Sequence, residues 1–212
     1  MDKYLNVMSI ISECAGKDYV SPKKLNDSAD ISAMNDLYDK SKSGLALFKS
    51  IVDELAKENN LFAIYHDSVL DGTRRRIRKY YWAELRTEQH FAIPESISLF
   101  AEVGESGEPR WRVSVEVDER NASYDQIEKH NKMFELPEQD GCIYALSRKA
   151  AGEMEFVKEK VNAVKIFSQG QYNKVQICVI GQYTQLEKSK NIKAFLDEAI
   201  KRLMTYYLYT VK

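Results

Sequence analysis

The sequence is poor in residues that interrupt regular structure and in residues that cross-link small scaffolds. Only 4 of its 212 residues are proline and 9 are glycine, whereas disordered chains are enriched in both. The 3 cysteines are widely separated and have no CxxC spacing, which argues against a disulfide framework and against a cysteine-rich zinc site. We expect each cysteine to behave as a small buried hydrophobe in a reducing cytoplasm.

Long apolar runs and an excess of one charge sign are also missing. No segment is apolar enough to span a bilayer, and the first residues have no cleavage-like end, so the sequence predicts a cytoplasmic protein without a membrane partner. The formal net charge is -1, from 31 basic and 32 acidic residues. The whole chain is therefore no polycation, and any site for nucleic acid has to be local.

Motifs for catalysis and phosphate binding are absent from the sequence. There is no GxSxG, HExxH, Walker or GxGxxG pattern, and His66, His90 and His130 lie far from one another and from cysteine. His130 lies on a helical stripe, where a core or edge histidine is commoner than a catalytic base. The sequence thus favours a protein with no catalytic activity and no cofactor.

One local concentration of charge does stand out, within residues 59–85. A short apolar run, the turn signal Asp71-Gly72 and a following aromatic strand predict a β-hairpin. Five cations occupy six positions of this hairpin, at Arg74, Arg75, Arg76, Arg78 and Lys79. Such a cluster favours contact with the phosphates of nucleic acid. Two other interpretations fit the same cluster: a solvated hairpin tip that keeps a sheet edge from pairing with other chains, and a hairpin tip that binds an acidic protein.

Apolar spacing upstream of this hairpin predicts several helices. The first covers residues 3–15, and a short one begins at Ser21-Pro22. Another begins at Asp30 or Ser32, and residues 41–44 either end it or form a weak turn within it. A clean stripe from Leu45 to Leu55 predicts a helix over 45–58.

The run LFKSIVDELAKENNLFAIYHDSVLDGTRRRIRKYYWAEL resembles the recognition helix and wing of winged-helix regulators of the PadR and MarR type. The resemblance implies transcription regulation by a homodimer on double-stranded DNA, with the helix at 45–58 in the major groove and the hairpin as the wing. Carried over, the outward-facing helix residues are Lys49, Asp53 and Lys57, and the wing residues are Arg74, Arg75, Arg76 and Arg78.

Beyond residue 88 the pattern changes to strands. We predict strands at 96–103 and 110–118, a helix at 121–136, a strand at 142–146, a helix at 150–160, a second hairpin from 163–167 and 174–183, and a long helix at 186–209. The fold class is α+β, in which winged-helix-like helices and a hairpin precede an antiparallel sheet with helices on one face. We place a soft boundary between a DNA-binding domain, 1–88, and a sensing, dimerisation or interaction domain, 89–212. The alternative is one continuous domain over the whole chain.

Carboxylates on the hairpin at 96–118 indicate an alternative function. Glu95, Glu116 and Asp118 have about the separation that a metal-dependent nuclease of the restriction type uses to hold Mg²⁺. Strand alternation puts Glu116 and Asp118 on one face and Glu95 on the other, unless a bulge intervenes. The competing interpretation is a polar face on which Arg112 pairs with Glu116.

The function predicted from sequence is that of a non-catalytic, regulator-type DNA-binding protein with a phosphate-contacting basic hairpin. The alternatives are the nuclease and a protein-interaction module of a defence or mobile-element system.

Overall fold

The computed structural model describes residues 2–148, 154–189 and 191–212. Over these ranges the chain forms six α-helices and one seven-stranded sheet in which all neighbouring strands are antiparallel. The predicted α+β class, with a long helix near the C-terminus, is confirmed.

The elements follow the chain in this order. The helices are α1 (Lys3–Cys14), α2 (Ser28–Glu58), α3 (Tyr124–Asn131), α4 (Lys160–Phe167), α5 (Tyr183–Ser189) and α6 (Ile192–Thr210). The strands are β1 (Phe62–Tyr65), β2 (Tyr80–Arg86), β3 (Glu95–Val103), β4 (Pro109–Val117), β5 (Ile143–Ser147), β6 (Met154–Val157) and β7 (Lys174–Gln182). Their spatial order is β1-β2-β3-β4-β7-β5-β6.

Alternation along the strands gives the sheet two different faces. On one face Trp111, Val113 and Val115 of β4 are fully buried in a core cluster to which α1, α2, α4, α5 and α6 all contribute. The other face, which we call the open face although most of its central residues are buried, is mostly polar and aromatic. Its central residues are Trp82, Glu84, Ser96, Ser98, Phe100, Arg112, Ser114 and Glu116.

Residues 28–58 form one helix of 31 residues, whereas the sequence left open whether residues 41–44 end a helix or form a weak turn within it. The Asp27 side chain caps its start by accepting hydrogen bonds from the backbone of Ala29 and Asp30. Gly44, at the expected weak point, is instead a place of close packing inside the helix. A helix-turn-helix needs two helices joined by a turn, and residues 28–58 do not form one.

Other predictions were wrong in the second half of the chain. Residues 163–167 belong to helix α4, and residues 154–157 form strand β6 within the predicted helix 150–160, whose residues 150–153 lie outside the described part. The predicted helix 186–209 is two helices, α5 and α6. Short apolar runs caused the first two errors, because periodicity alone does not separate a buried strand from a short helix.

The sheet is continuous across the soft boundary near residue 88. Strand β2 pairs with β3 from Tyr80↔Glu102 to Leu85↔Ile97, and one core cluster contains side chains of both α1 and α6. This continuity fits the single-domain alternative. Among the helices of the described ranges, none has the length and apolar character needed to cross a membrane.

Candidate nucleic-acid interface

Residues 66–79, here called the basic loop, connect β1 to β2. A turn starts at Asp71, whose carbonyl accepts a hydrogen bond from the Arg74 amide at 3.0 Å, so the predicted turn is present. The left-handed residue of this turn is Arg74, with φ 56°, and not Gly72. Arg74, Arg75 and Arg76 are exposed to solvent.

An apolar anchor holds the basic loop on the helices. Ile77 is 2% exposed and packs with Ile10 and Cys14 of α1. Backbone hydrogen bonds fasten the same stretch to the segment after α1: the Tyr19 amide donates to Arg75 O at 2.6 Å, and the Ile77 amide donates to Lys17 O at 2.9 Å. The arginines therefore project from a fixed backbone rather than from a free hairpin tip.

This docking adds cations that are distant in the sequence. Lys17 and Lys24 are exposed and lie beside the loop. We call the combined set the basic surface; it consists of Lys17, Lys24, Arg74, Arg75, Arg76, Arg78 and Lys79. Two carboxylates accompany it. Asp18 pairs with Arg76 at 3.0 Å, and Asp71 accepts a hydrogen bond from Thr73 that lowers the pKa of its carboxyl group.

An aromatic groove of about 860 Å³ cuts into the basic surface. Tyr19 and Tyr38, with ring centroids 5.6 Å apart, form part of its wall. Lys24, Arg74 and Arg75 line the same groove. The sequence did not reveal this arrangement, because its walls come from three separate parts of the chain.

The two lysines predicted on the groove-reading helix differ in their relation to the basic loop, since Lys49 contacts the start of the loop at Asp67 whereas Lys57 does not. The Lys49 ammonium pairs with Asp67 and lies 5.3 Å from the Tyr65 ring centroid. Lys57 is in the last turn of α2, about 20 Å along the helix axis from Gly44, which contacts Tyr81 beside the loop. The structure thus brings the loop cations together but leaves Lys57 apart from them.

A second groove, of about 750 Å³, begins at the basic loop and follows the open face. We call it the open-face groove. Its lining includes Arg76, Arg78 and Lys79 of the loop, His66, Trp82 and Glu84, the hydroxyls of Ser96 and Ser98, and Glu116, Asp118, Glu119, Arg120 and Lys174 at the far end. The groove therefore joins the basic surface to a polar part of the sheet.

A row of stacked flat side chains begins in this groove, whose lining includes His66 and Trp82 but not Phe100 or Arg112. The rings of His66 and Trp82 stack with centroids 3.6 Å apart and an interplanar angle of 2°. Trp82 and Phe100 are also parallel, at 5.9 Å and 3°, and the Arg112 guanidinium carbon lies 3.7 Å from the Phe100 centroid. Sheet register explains the row, because Trp82, Phe100 and Arg112 are directly opposite on β2, β3 and β4.

A buried ion network closes one end of this row. Arg112, 2% exposed, donates from Nε and Nη2 to the two Glu102 oxygens, each at 3.0 Å. Its Nη1 donates to Glu116 at 3.1 Å, which confirms the predicted Arg112–Glu116 pair. Burial alone would raise the pKa of Glu102, but the guanidinium groups of Arg112 and Arg110 outweigh burial and lower it.

The carboxylates of the nuclease alternative do not converge. Glu95 is opposite Val117 in the β3–β4 register, so it faces away from Glu116, and burial raises the pKa of the Glu95 carboxyl group. Asp118 instead accepts hydrogen bonds from Asn121 and from the Arg120 amide. Within the described ranges no three His, Cys, Asp or Glu side chains are grouped to hold a metal ion.

Comparison of the chain with protein-family models, with curated proteins and with solved structures gave no match.

Proposed function

We propose that the protein binds DNA through its basic surface, as a non-catalytic protein of regulator type. The observation that carries this proposal is the convergence of Lys17 and Lys24 with the arginines of the basic loop. Each cation that meets a phosphate releases counterions, which supplies most of the affinity of sequence-independent binding.

Exposure and charge pairing support this use of the surface. Arg74 and Arg75 are exposed and have no ion-pair partner in the part of the chain that the structure describes. Their charges are therefore available to an external anion. The anchored backbone reduces the ordering entropy that binding would otherwise cost.

The contact we propose is with the phosphate backbone rather than with base edges. Helix α2 directs Phe48, Ile51 and Leu55 into the core, and Lys49 is paired with Asp67. Phosphate contacts position a protein on DNA without reading its sequence. A cytoplasmic homodimer is part of the proposal, because one module of this size buries little DNA surface.

The decisive experiment compares the triple variant Arg74→Ala, Arg75→Ala, Arg76→Ala with wild type on labelled duplex DNA. Fluorescence anisotropy over about 50 to 200 mM salt should show at least about tenfold weaker binding, with a salt slope shallower by about 2 to 3. Light scattering of the complex reports its stoichiometry and tests the homodimer.

A matched control removes three lysines that are exposed elsewhere: Lys158→Ala, Lys165→Ala, Lys188→Ala. It changes the net charge by the same amount, so its affinity and slope should stay close to wild type. If the arginine variant binds duplex DNA as well as wild type does, the proposed function is wrong.

A further inference from the structure

We infer that the open-face groove holds single-stranded nucleic acid, with one unpaired base stacked on the row that ends in His66. This inference rests on the proposed function, because the groove starts at the basic loop and shares Arg76, Arg78 and Lys79 with the basic surface.

The row of flat side chains has one closed end and one open end. At the closed end Arg112 is held between Phe100 and the carboxylates of Glu102 and Glu116. At the open end the His66 side chain is 35% exposed, and it also bonds Glu84 at 3.2 Å. A flat, ordered and accessible ring at the end of a stack is a platform for one more planar group, and every nucleobase offers such a plane.

Charges along the groove favour an anionic chain. Three of its carboxylates are in ion pairs: Glu84 with Arg86, Glu116 with Arg112, and Glu119 with Lys174. The other two, Asp71 and Asp118, accept only hydrogen bonds from neutral groups such as Thr73 and Asn121. Lys79 and Arg120, by contrast, are exposed, and residues 2–148, 154–189 and 191–212 provide no ion-pair partner for either. Among the described lining residues, the unpaired cations Arg78, Lys79 and Arg120 outnumber the unpaired Asp71 and Asp118, so the uncompensated charge of the groove is positive on balance, which favours a phosphodiester backbone.

Lys79 and Arg120 are far enough apart for several nucleotides. Lys79 precedes Tyr80, which is opposite Glu102, and Arg120 follows the strand whose Val117 is opposite Glu95. Glu102 and Glu95 are seven residue steps apart on β3, or about 23 Å at the rise of a strand. At a duplex-like rise of about 3.4 Å per nucleotide this span corresponds to about 7 nucleotides, which lies within the range of about 4 to 16 nucleotides for single-strand sites.

Polar groups between the cations suit the edge of an unpaired base. The Ser96 and Ser98 hydroxyls, which are almost fully buried, bond each other at 3.1 Å in the groove lining. Trp82 Nε1 is buried too and has no hydrogen-bond partner in the described part of the protein, so a base edge that reaches it would satisfy a donor that the fold leaves unpaired. In a duplex the base faces are covered by neighbouring pairs and the edges are paired. Only a single strand can present both a face and an edge to this groove.

Intrinsic fluorescence tests the inference on the wild-type protein. The chain has 2 tryptophans; Trp111 is fully buried in the core, so a change on binding reports Trp82. We expect an oligothymidylate of about 12 nucleotides to quench this emission, and a duplex of equal length to bind with little quenching. A single strand that binds without changing the emission overturns the inference.

Variants assign the quenching to the stack. Trp82→Ala and His66→Ala should each weaken single-strand binding about tenfold and leave duplex binding within about twofold, whereas Trp82→Phe should retain most of the affinity. Tyr124→Ala, at an aromatic residue that is 79% exposed and outside the groove lining, is the matched control. Unchanged single-strand binding by both alanine variants overturns the inference.

Further outcomes of these experiments distinguish a failure of this inference from a failure of the proposed function. If the arginine variant loses duplex binding while Trp82→Ala binds the single strand as well as wild type does, the basic surface binds DNA as proposed and the open-face groove does not hold a single strand. Quenching by a single strand in a protein that never binds duplex upholds the groove and overturns the duplex proposal. The inference that the groove holds a single strand is also wrong if thymidine monophosphate binds with the same affinity as the oligothymidylate. It is equally wrong if polyglutamate of matched charge displaces the strand.

Discussion

At the scale of single residues, His130 shows how burial decides what an ionisable side chain can do. It is 0% exposed, and its Nε2 donates a hydrogen bond to Val175 O at 2.9 Å. Burial, assisted by the nearby Lys174 ammonium, lowers the pKa of His130 to about 3. The imidazole is therefore neutral at physiological pH, as expected for the core histidine that its place on a helical stripe suggested.

The buried imidazole predicts a defined loss of stability in acid. Unfolded His130 has a pKa near 6.5 and the folded side chain one of about 3, so between these values the unfolded state binds more protons. Stability from this group is complete above pH 6.5 and declines below it, by about 1.4 kcal/mol per pH unit. The variant His130→Gln keeps a hydrogen-bond donor for Val175 O but has no side chain that titrates in this pH range. Urea unfolding should show wild type losing about 2 kcal/mol more than the variant between neutral pH and about pH 5. Equal losses would contradict the assignment.

At the scale of elements, the long helix α2 depends on close contact at Gly44. A Cβ atom there would lie 2.6 Å from Ile10 Cγ2 and 2.6 Å from Tyr81 Oη. The Tyr81 hydroxyl cannot move freely, because it donates to Ser41 O at 2.9 Å. Glycine thus lets α2 approach α1 and β2, whereas the sequence around it was compatible with either a helix break or an exposed weak turn within the helix.

Substitution of Gly44 tests this contact. Gly44→Ala gains roughly 1 kcal/mol of helix propensity, but overpacking of a rigid site costs about 1 to 3 kcal/mol. We expect a net loss of about 1 kcal/mol in chemical denaturation. Gly72→Ala is the control, because no atom lies within 4 Å of its added Cβ, and its stability should stay near wild type. A Gly44→Ala protein more stable than wild type would show that the two helices can separate.

At the scale of the whole molecule, the basic loop is supported by one core rather than by a separate N-terminal unit. Phe48 of α2 stacks on Trp111 of β4, with centroids 6.1 Å apart, and the amide side chain of Asn59 donates to Asp197 of α6 at 3.0 Å. Strand β2 is an inner strand between β1 and β3. Removal of everything after residue 88 would expose its edge and one side of the core.

This shared core predicts cooperative unfolding of the full chain. Far-ultraviolet circular dichroism and tryptophan fluorescence should give coincident thermal transitions, as expected for a two-state domain. A fragment of residues 1–88 should lack a cooperative transition, because its apolar face has no partner. A fragment that unfolds cooperatively by itself would restore the two-domain interpretation.

The sequence by itself determined the features that depend on neighbours along the chain. The alternation in β4 predicted a strand with one apolar and one polar face, although the fold buries the central residues of both faces. The cluster from Arg74 to Lys79 marked a local cationic surface in a nearly neutral protein. The α+β class and the apolar stripe near the C-terminus followed from the same local periodicity.

Only the tertiary structure decided which distant residues meet. Strand register separated Glu95 from Glu116 and aligned Trp82, Phe100 and Arg112, and docking of Ile77 brought Lys17 to the basic loop. The order of strands also places β7 between β4 and β5. Periodicity specifies the face on which a side chain lies, but strand order and register depend on how the whole core packs, so the two grooves beside the basic loop exist only in the folded chain.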